Sequence, residues 1–142
     1  GSIGTQISVI AEALGMEVYF YDSVDKLALG NAKKCSSLQE LLSHADLVSL
    51  HVDGRKSNTN IIGKQQFSWM KDNVVFLNLS RGHVVEIPAL VEAIKSGKVW
   101  GAAIDVFEQE PPKSSNLLSL HCLVVRLSYY LGSAHLWCCR TT

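Results

Sequence analysis

Apolar residues fall into short groups along the first hundred positions, and the groups alternate between helical and strand spacing. Ile3, Ile7, Ile10 and Leu14 recur at helical spacing, and Gly15 is placed to end that helix in a left-handed conformation. Residues 18–21 form a short β-rich run closed by Asp22. Ser37-Leu38-Gln39-Glu40 is a capping box that opens an amphipathic helix through Leu41, Leu42 and Ala45, and residues 47–52 supply the next strand. A polar, glycine-containing loop over 53–60 leads to a short helical segment over 64–70 and a strand over 74–77. Pro88 sits in the first turn of a helix whose apolar face is Leu90, Val91 and Ile94 and whose end is Gly97. Residues 99–106 complete the readable strands. Beyond Pro112 the periodicity decays, and 117–139 follow no clear period.

Strands that alternate with helices, without internal repeat, predict βαβ units. The fold class is α/β, an open, doubly wound parallel sheet. The runs at 74–77 and 100–104 read as buried parallel strands, and the residues just past their ends lie at the edge where open α/β sheets bind ligands.

Composition narrows the partner. Thirteen basic and thirteen acidic residues cancel, which leaves neither a nucleic-acid footprint nor a polyanionic tail and favours a small molecule. No apolar run approaches the ~18 residues that span a bilayer, so neither a membrane nor a nucleic acid is expected as partner. Cys35, Cys122, Cys138 and Cys139 form no CxxC pair and no zinc-site spacing. Free thiols in a reducing, cytoplasmic compartment and no metal are the expectation.

Chemistry concentrates in Asn78-Leu79-Ser80-Arg81-Gly82, Ile104-Asp105-Val106-Phe107 and Glu110-Pro111. With their spacing, these residues resemble the D-isomer-specific 2-hydroxyacid dehydrogenases. Within that family, Gly30-Asn31-Ala32 and the stretch 37–51 most resemble the branch that oxidises 3-phosphoglycerate to 3-phosphohydroxypyruvate at the head of serine synthesis. Members acting on glyoxylate, hydroxypyruvate or D-lactate are the alternative. The resemblance covers residues 1 to about 112, read as a partial dinucleotide-binding domain, with 113–142 as an aberrant tail. It also implies a homo-oligomeric parent protein.

Gly1-Ser2-Ile3-Gly4 resembles the second half of a G-x-G-x-x-G turn, with the first glycine and its strand not in this sequence. There a glycine lets backbone approach a pyrophosphate, and the helix N-terminus meets the phosphates. Asp22, eighteen residues past Gly4, is placed to accept both ribose hydroxyls; no arginine follows it to balance a 2′-phosphate, so NAD is expected rather than NADP.

A dehydrogenase of 2-hydroxy acids must also hold the substrate carboxylate, for which the planar fork of Arg81 is suited. By resemblance, Glu110 supports a catalytic histidine, Asp105 contacts the nicotinamide carboxamide, and Leu79, Ser80 and Arg81 lie along the cofactor. The histidine itself falls by spacing near residues 133–135. Leu136-Trp137-Cys138-Cys139 follows where the family has a glycine-rich turn, so the role is not carried over to His135. His51 and His83 read as structural or solvent-facing. The abrupt end of the resemblance points to a shift of reading frame in the tail. A non-catalytic module that retains the NAD site is the reading of a different class.

Overall fold

The computed structural model describes residues 2–108 and the backbone of 124–125. Helix α1 spans Ser2–Ala13 and strand β1 Tyr19–Phe20, followed by β2 at Lys33–Lys34. Next come α2 (Leu38–His44), β3 (Leu47–Leu50), α3 (Lys64–Trp69), β4 (Val74–Asn78), α4 (Ile87–Lys95), β5 (Val99–Ile104) and β6 (Val124–Val125). Short 3-10 turns at Lys56–Asn58 and Gly82–Val84 interrupt the connections.

All described strand pairs are parallel, in two sheets: β1 with β2, and β3-β4-β5-β6. The α/β expectation holds. β6 falls beyond Pro112, where the sequence shows no period; it pairs with β5 through Ala102 and Ala103. β2 has no sequence signal either, since two exposed lysines give a strand nothing to alternate.

Local chemistry explains where elements stop. Gly15 takes a φ of 82°, and the Met16 N–H donates back to the Ala11 carbonyl at 3.0 Å, which closes α1 as the sequence predicts. At α2 the Ser37 hydroxyl accepts from the Glu40 N–H at 3.1 Å, the expected half of the capping box. The other half is shifted by one residue: Glu40 accepts from the N–H and hydroxyl of Ser36, at 2.7 and 2.6 Å. Gly97, with a φ of 78°, ends the turn after α4.

The core lies between the four-stranded sheet and helices α2 to α4. Leu42, Phe67, Leu90 and Ile94 from the helices meet Val48, Phe76, Val99, Ala102 and Ile104 from the strands. Phe67 packs edge-on to Phe76, with ring centroids 5.3 Å apart. In β4 only Val74, Phe76 and Asn78 are buried, while Val75 and Leu77 are half-buried. The expectation of strands buried on both faces therefore holds for one face. The unit of α1, β1 and β2 is looser: α1 has no buried residue, and Ile3, Ile10 and Leu14 are exposed. No helix among the described residues is long and apolar enough to cross a membrane.

Candidate functional site

Register builds the site. Leu50 pairs with Asn78, and Asn78 pairs with Ile104, so β3, β4 and β5 end on one row. The residues that follow, His51, Leu79 and Asp105, leave the sheet side by side at its carboxyl edge, where parallel α/β sheets bind ligands. The Asp105 N–H donates to the Asn78 carbonyl at 3.1 Å, which carries the ladder one residue beyond β5.

The N-terminal turn of α1 reaches the same edge. A Cβ on Gly4 would lie 3.7 Å from the Cβ of His51, so this glycine faces the first residue after β3. No acidic side chain occupies the first turn of α1, so its N–H groups and dipole are met by no carboxylate from that turn. His51 is half-buried; its Nε2 lies 2.8 Å from the Ser49 hydroxyl, and burial pushes its imidazole below the ordinary value.

Asp22 follows β1 by two residues, as the sequence suggests. Its Oδ1 accepts from the Val24 N–H at 3.0 Å, and its Oδ2 pairs with Lys26 at 2.8 Å. The hydrogen bond from Lys26 and then that from Val24 hold its carboxyl below the usual aspartate range. Arg55, bound mainly by Asp53, also lies in the field of Asp22. The absence of an arginine directly after Asp22 thus does not leave the carboxylate isolated, because the fold brings two cations toward it.

Arg81 is exposed and extended, with φ −144° and ψ 146°, and its Nη1 donates to the Ser80 carbonyl at 2.7 Å. Gly54 sits over it: a Cβ there would come within 3.3 Å of the arginine's Cγ and 3.6 Å of His83 Cε1. Leu79 is half-buried, whereas Ser80 is buried with its hydroxyl turned onto Asn78 Oδ1 at 2.9 Å. The Ser80 hydroxyl and N–H are thus both turned onto Asn78.

The structure brings together Gly4, Ile3 and Ser2 at the head of α1, and Leu79, Ser80, Arg81 and Asp105 at the strand ends. Gly1, Glu110 and His135 lie outside the described residues. Sequence reasoning assigned no role to Asn78, although an Asn that ends an apolar run is itself a turn signal. It likewise passed over Gly54. Among the described residues no three His, Cys, Asp or Glu side chains gather as a metal site.

The groups present fit a dinucleotide: a helix N-terminus free of acidic side chains, a carboxylate past the next strand, and a row of strand ends from which Arg81 follows. Comparisons with known proteins agree. Over 111 residues the chain is 53% identical to a D-3-phosphoglycerate dehydrogenase of Haemophilus influenzae, a match that covers 78% of this chain and 27% of that protein. The fold superposes on the apo D-mandelate dehydrogenase of Rhodotorula graminis with a TM-score of 0.83 at 32% identity, covering 89% of this chain and 38% of that one. A D-lactate dehydrogenase of Aquifex aeolicus, solved with NAD and lactic acid, gives a TM-score of 0.79 at 33% identity over 89% of this chain and 43% of its own. The chain thus spans about a quarter of the length of the curated relative. Residues 1–127 match the family described as D-isomer specific 2-hydroxyacid dehydrogenase, NAD binding domain. With that match over most of its length, the chain belongs to the D-isomer-specific 2-hydroxyacid dehydrogenase family as its NAD-binding domain.

Proposed function

We propose that this chain is the cofactor-binding part of an enzyme that oxidises 3-phosphoglycerate to 3-phosphohydroxypyruvate, the reaction that opens serine synthesis. The observation that carries the reading is the in-register end of β3, β4 and β5, which sets Asp105 beside the Asn78–Arg81 turn at a ligand-binding edge. The choice of substrate within the family is supported by the 53% identity to a D-3-phosphoglycerate dehydrogenase over 111 residues.

In this reading the head of α1 binds the pyrophosphate through its N–H groups, and Asp22 accepts the ribose hydroxyls. NAD, when bound, supplies the hydride acceptor. Leu79 and the Ser80 backbone lie along the cofactor, and Asp105 holds the nicotinamide carboxamide. The Arg81 guanidinium keeps donors beyond the one committed to Ser80, and these bind the substrate carboxylate as a fork. Glu110 orients the group that takes the hydroxyl proton.

The test is an assay of the full-length protein with NAD and, in parallel, 3-phosphoglycerate, D-lactate and glyoxylate. The expected result is a higher kcat/KM with 3-phosphoglycerate than with either other acid. A preference for D-lactate or glyoxylate moves the enzyme elsewhere in the family, and NAD binding without turnover of any of the three replaces the reading with a non-catalytic module.

A further inference from the structure

Asn78 is fully buried, although it is a polar residue at the end of a strand. A buried amide left unpaired costs about 1–3 kcal/mol, so its partners matter. They all belong to the site. Its Oδ1 accepts from the Ser80 N–H at 3.1 Å and from the Ser80 hydroxyl at 2.9 Å, and its Nδ2 donates to the Arg81 carbonyl at 3.1 Å. Its own carbonyl accepts from the Asp105 N–H at 3.1 Å. One side chain thus ties both Ser80 and Arg81 back to the end of β4, and the same residue's backbone bonds the start of the loop after β5.

Arg81 needs such an anchor. It is exposed, and at the turn its neighbour Ser80 is held through Asn78. A long cationic side chain carries many rotamers, so binding a carboxylate bidentately requires its Cα to be set in place first.

We propose that Asn78 is the positioning residue for Arg81: its carboxamide, donating to the Arg81 carbonyl and accepting from Ser80, sets the direction in which the guanidinium leaves the sheet edge. The proposal rests on the reading of Arg81 as the carboxylate-binding group. Only an amide meets the demand at this position. An aspartate of the same shape keeps the acceptor for Ser80 but, ionised, turns an oxygen toward the Arg81 carbonyl. A leucine of similar volume offers neither group.

The experiment compares Asn78→Asp, Asn78→Ala and Arg81→Ala in the full-length protein, with NAD and 3-phosphoglycerate as probes. For both Asn78 variants the expected result is a fall in kcat/KM for 3-phosphoglycerate on the order of 10²-fold, far beyond any loss of NAD affinity through the Ser80 backbone. A role confined to folding would lower both together. In the chain itself, the Arg81 Nη–H resonances, one of which donates to the Ser80 carbonyl, are expected to be resolved with Asn78 present and to collapse to their averaged random-coil position in Asn78→Asp. If Asn78→Asp does not fold, Asn78→Ala, which introduces no charge, carries the same comparison. Loss of kcat/KM in Arg81→Ala but not in the Asn78 variants, or an unmoved Arg81 resonance, overturns the proposal and leaves the site reading intact. No loss in Arg81→Ala overturns the site reading itself.

Discussion

The backbone of Phe107 passes so close to the Cα of Gly82 that a Cβ on Gly82 would overlap the Phe107 carbonyl carbon and the Glu108 nitrogen. The residue after Arg81 is therefore a joint between two loops, the one leaving β4 and the one leaving β5. Neither can shift without the other. Gly82→Ala is expected to destabilise the protein by about 1–3 kcal/mol through overpacking and to displace the stretch that leads toward Glu110. Thermal denaturation checks the first effect and kcat/KM the second. An unchanged melting temperature would mean that the two loops yield freely and are not coupled.

Asp22→Ala is expected to weaken NAD binding by roughly 1–3 kcal/mol, because cofactor hydroxyls lose a charged acceptor. Isothermal titration with NAD measures it, and an unaltered dissociation constant removes Asp22 from the ribose site.

The pH dependence of that group has a definite sign. Lys26 and the Val24 N–H lower the folded-state value of Asp22 below its unfolded one. Its contribution to stability is then fully present above the ordinary aspartate value of about 3.9 and is lost only as pH falls through the lower folded value. Acid titration followed by NMR of the Asp22 carboxyl is expected to give a midpoint below that of Asp22 in the unfolded chain. A midpoint at or above it would show that the Lys26 pair does not persist in solution.

Arg81→Lys keeps the charge and loses the planar fork. Charge-assisted hydrogen bonds are worth about 1.5–3 kcal/mol each, so kcat/KM is expected to fall by about 10- to 100-fold. Wild-type kinetics in this variant would reduce Arg81 to a surface cation.

The two structural units differ in what they bury, and hydrogen exchange should resolve them. Among the described residues, the clustered apolar core lies within 42–104, whereas α1 buries nothing. Among the described strands, β1 pairs only with β2, and β3 pairs only with β4. Amides in 2–34 are expected to exchange much faster than those in 47–104. Uniform protection across both, or cooperative melting of the chain above ~50 °C, would show that the first unit is as firmly held as the second.

Much of this was legible in the residues because each signal was local. Gly15 and Gly97 mark helix ends through positive φ, which a sequence states directly. The alternation of helical and strand spacing gave the parallel sheet. What the residues hid depends on chain segments that meet only after folding. Glu40 turns to Ser36 and not to Ser37, a choice between adjacent donors that a capping motif cannot make. The cations near Asp22 come from Lys26, one turn away, and from Arg55, thirty-three positions on, so looking for an arginine next to the carboxylate missed both. Asn78 carries its meaning in three hydrogen bonds to backbone and hydroxyl, and nothing in its identity tells them from those of an ordinary turn residue.

Among residues 2–37, Cys35 alone is buried, at 3% exposure, with its N–H donated to the Phe20 carbonyl at 2.8 Å. Burial raises its thiol above the usual cysteine value, so the reactive thiolate is scarce while the strand pair stays closed. That makes Cys35 a built-in stopwatch: with the other three cysteines replaced by serine, the rate at which an alkylating reagent captures it records how often β1 and β2 come apart. Because Asp22 follows β1, whose Phe20 carbonyl accepts the Cys35 N–H, NAD that ties Asp22 to the head of α1 would slow the clock. The more loosely packed of the two described units would then report occupancy of the cofactor site from a residue that never touches it.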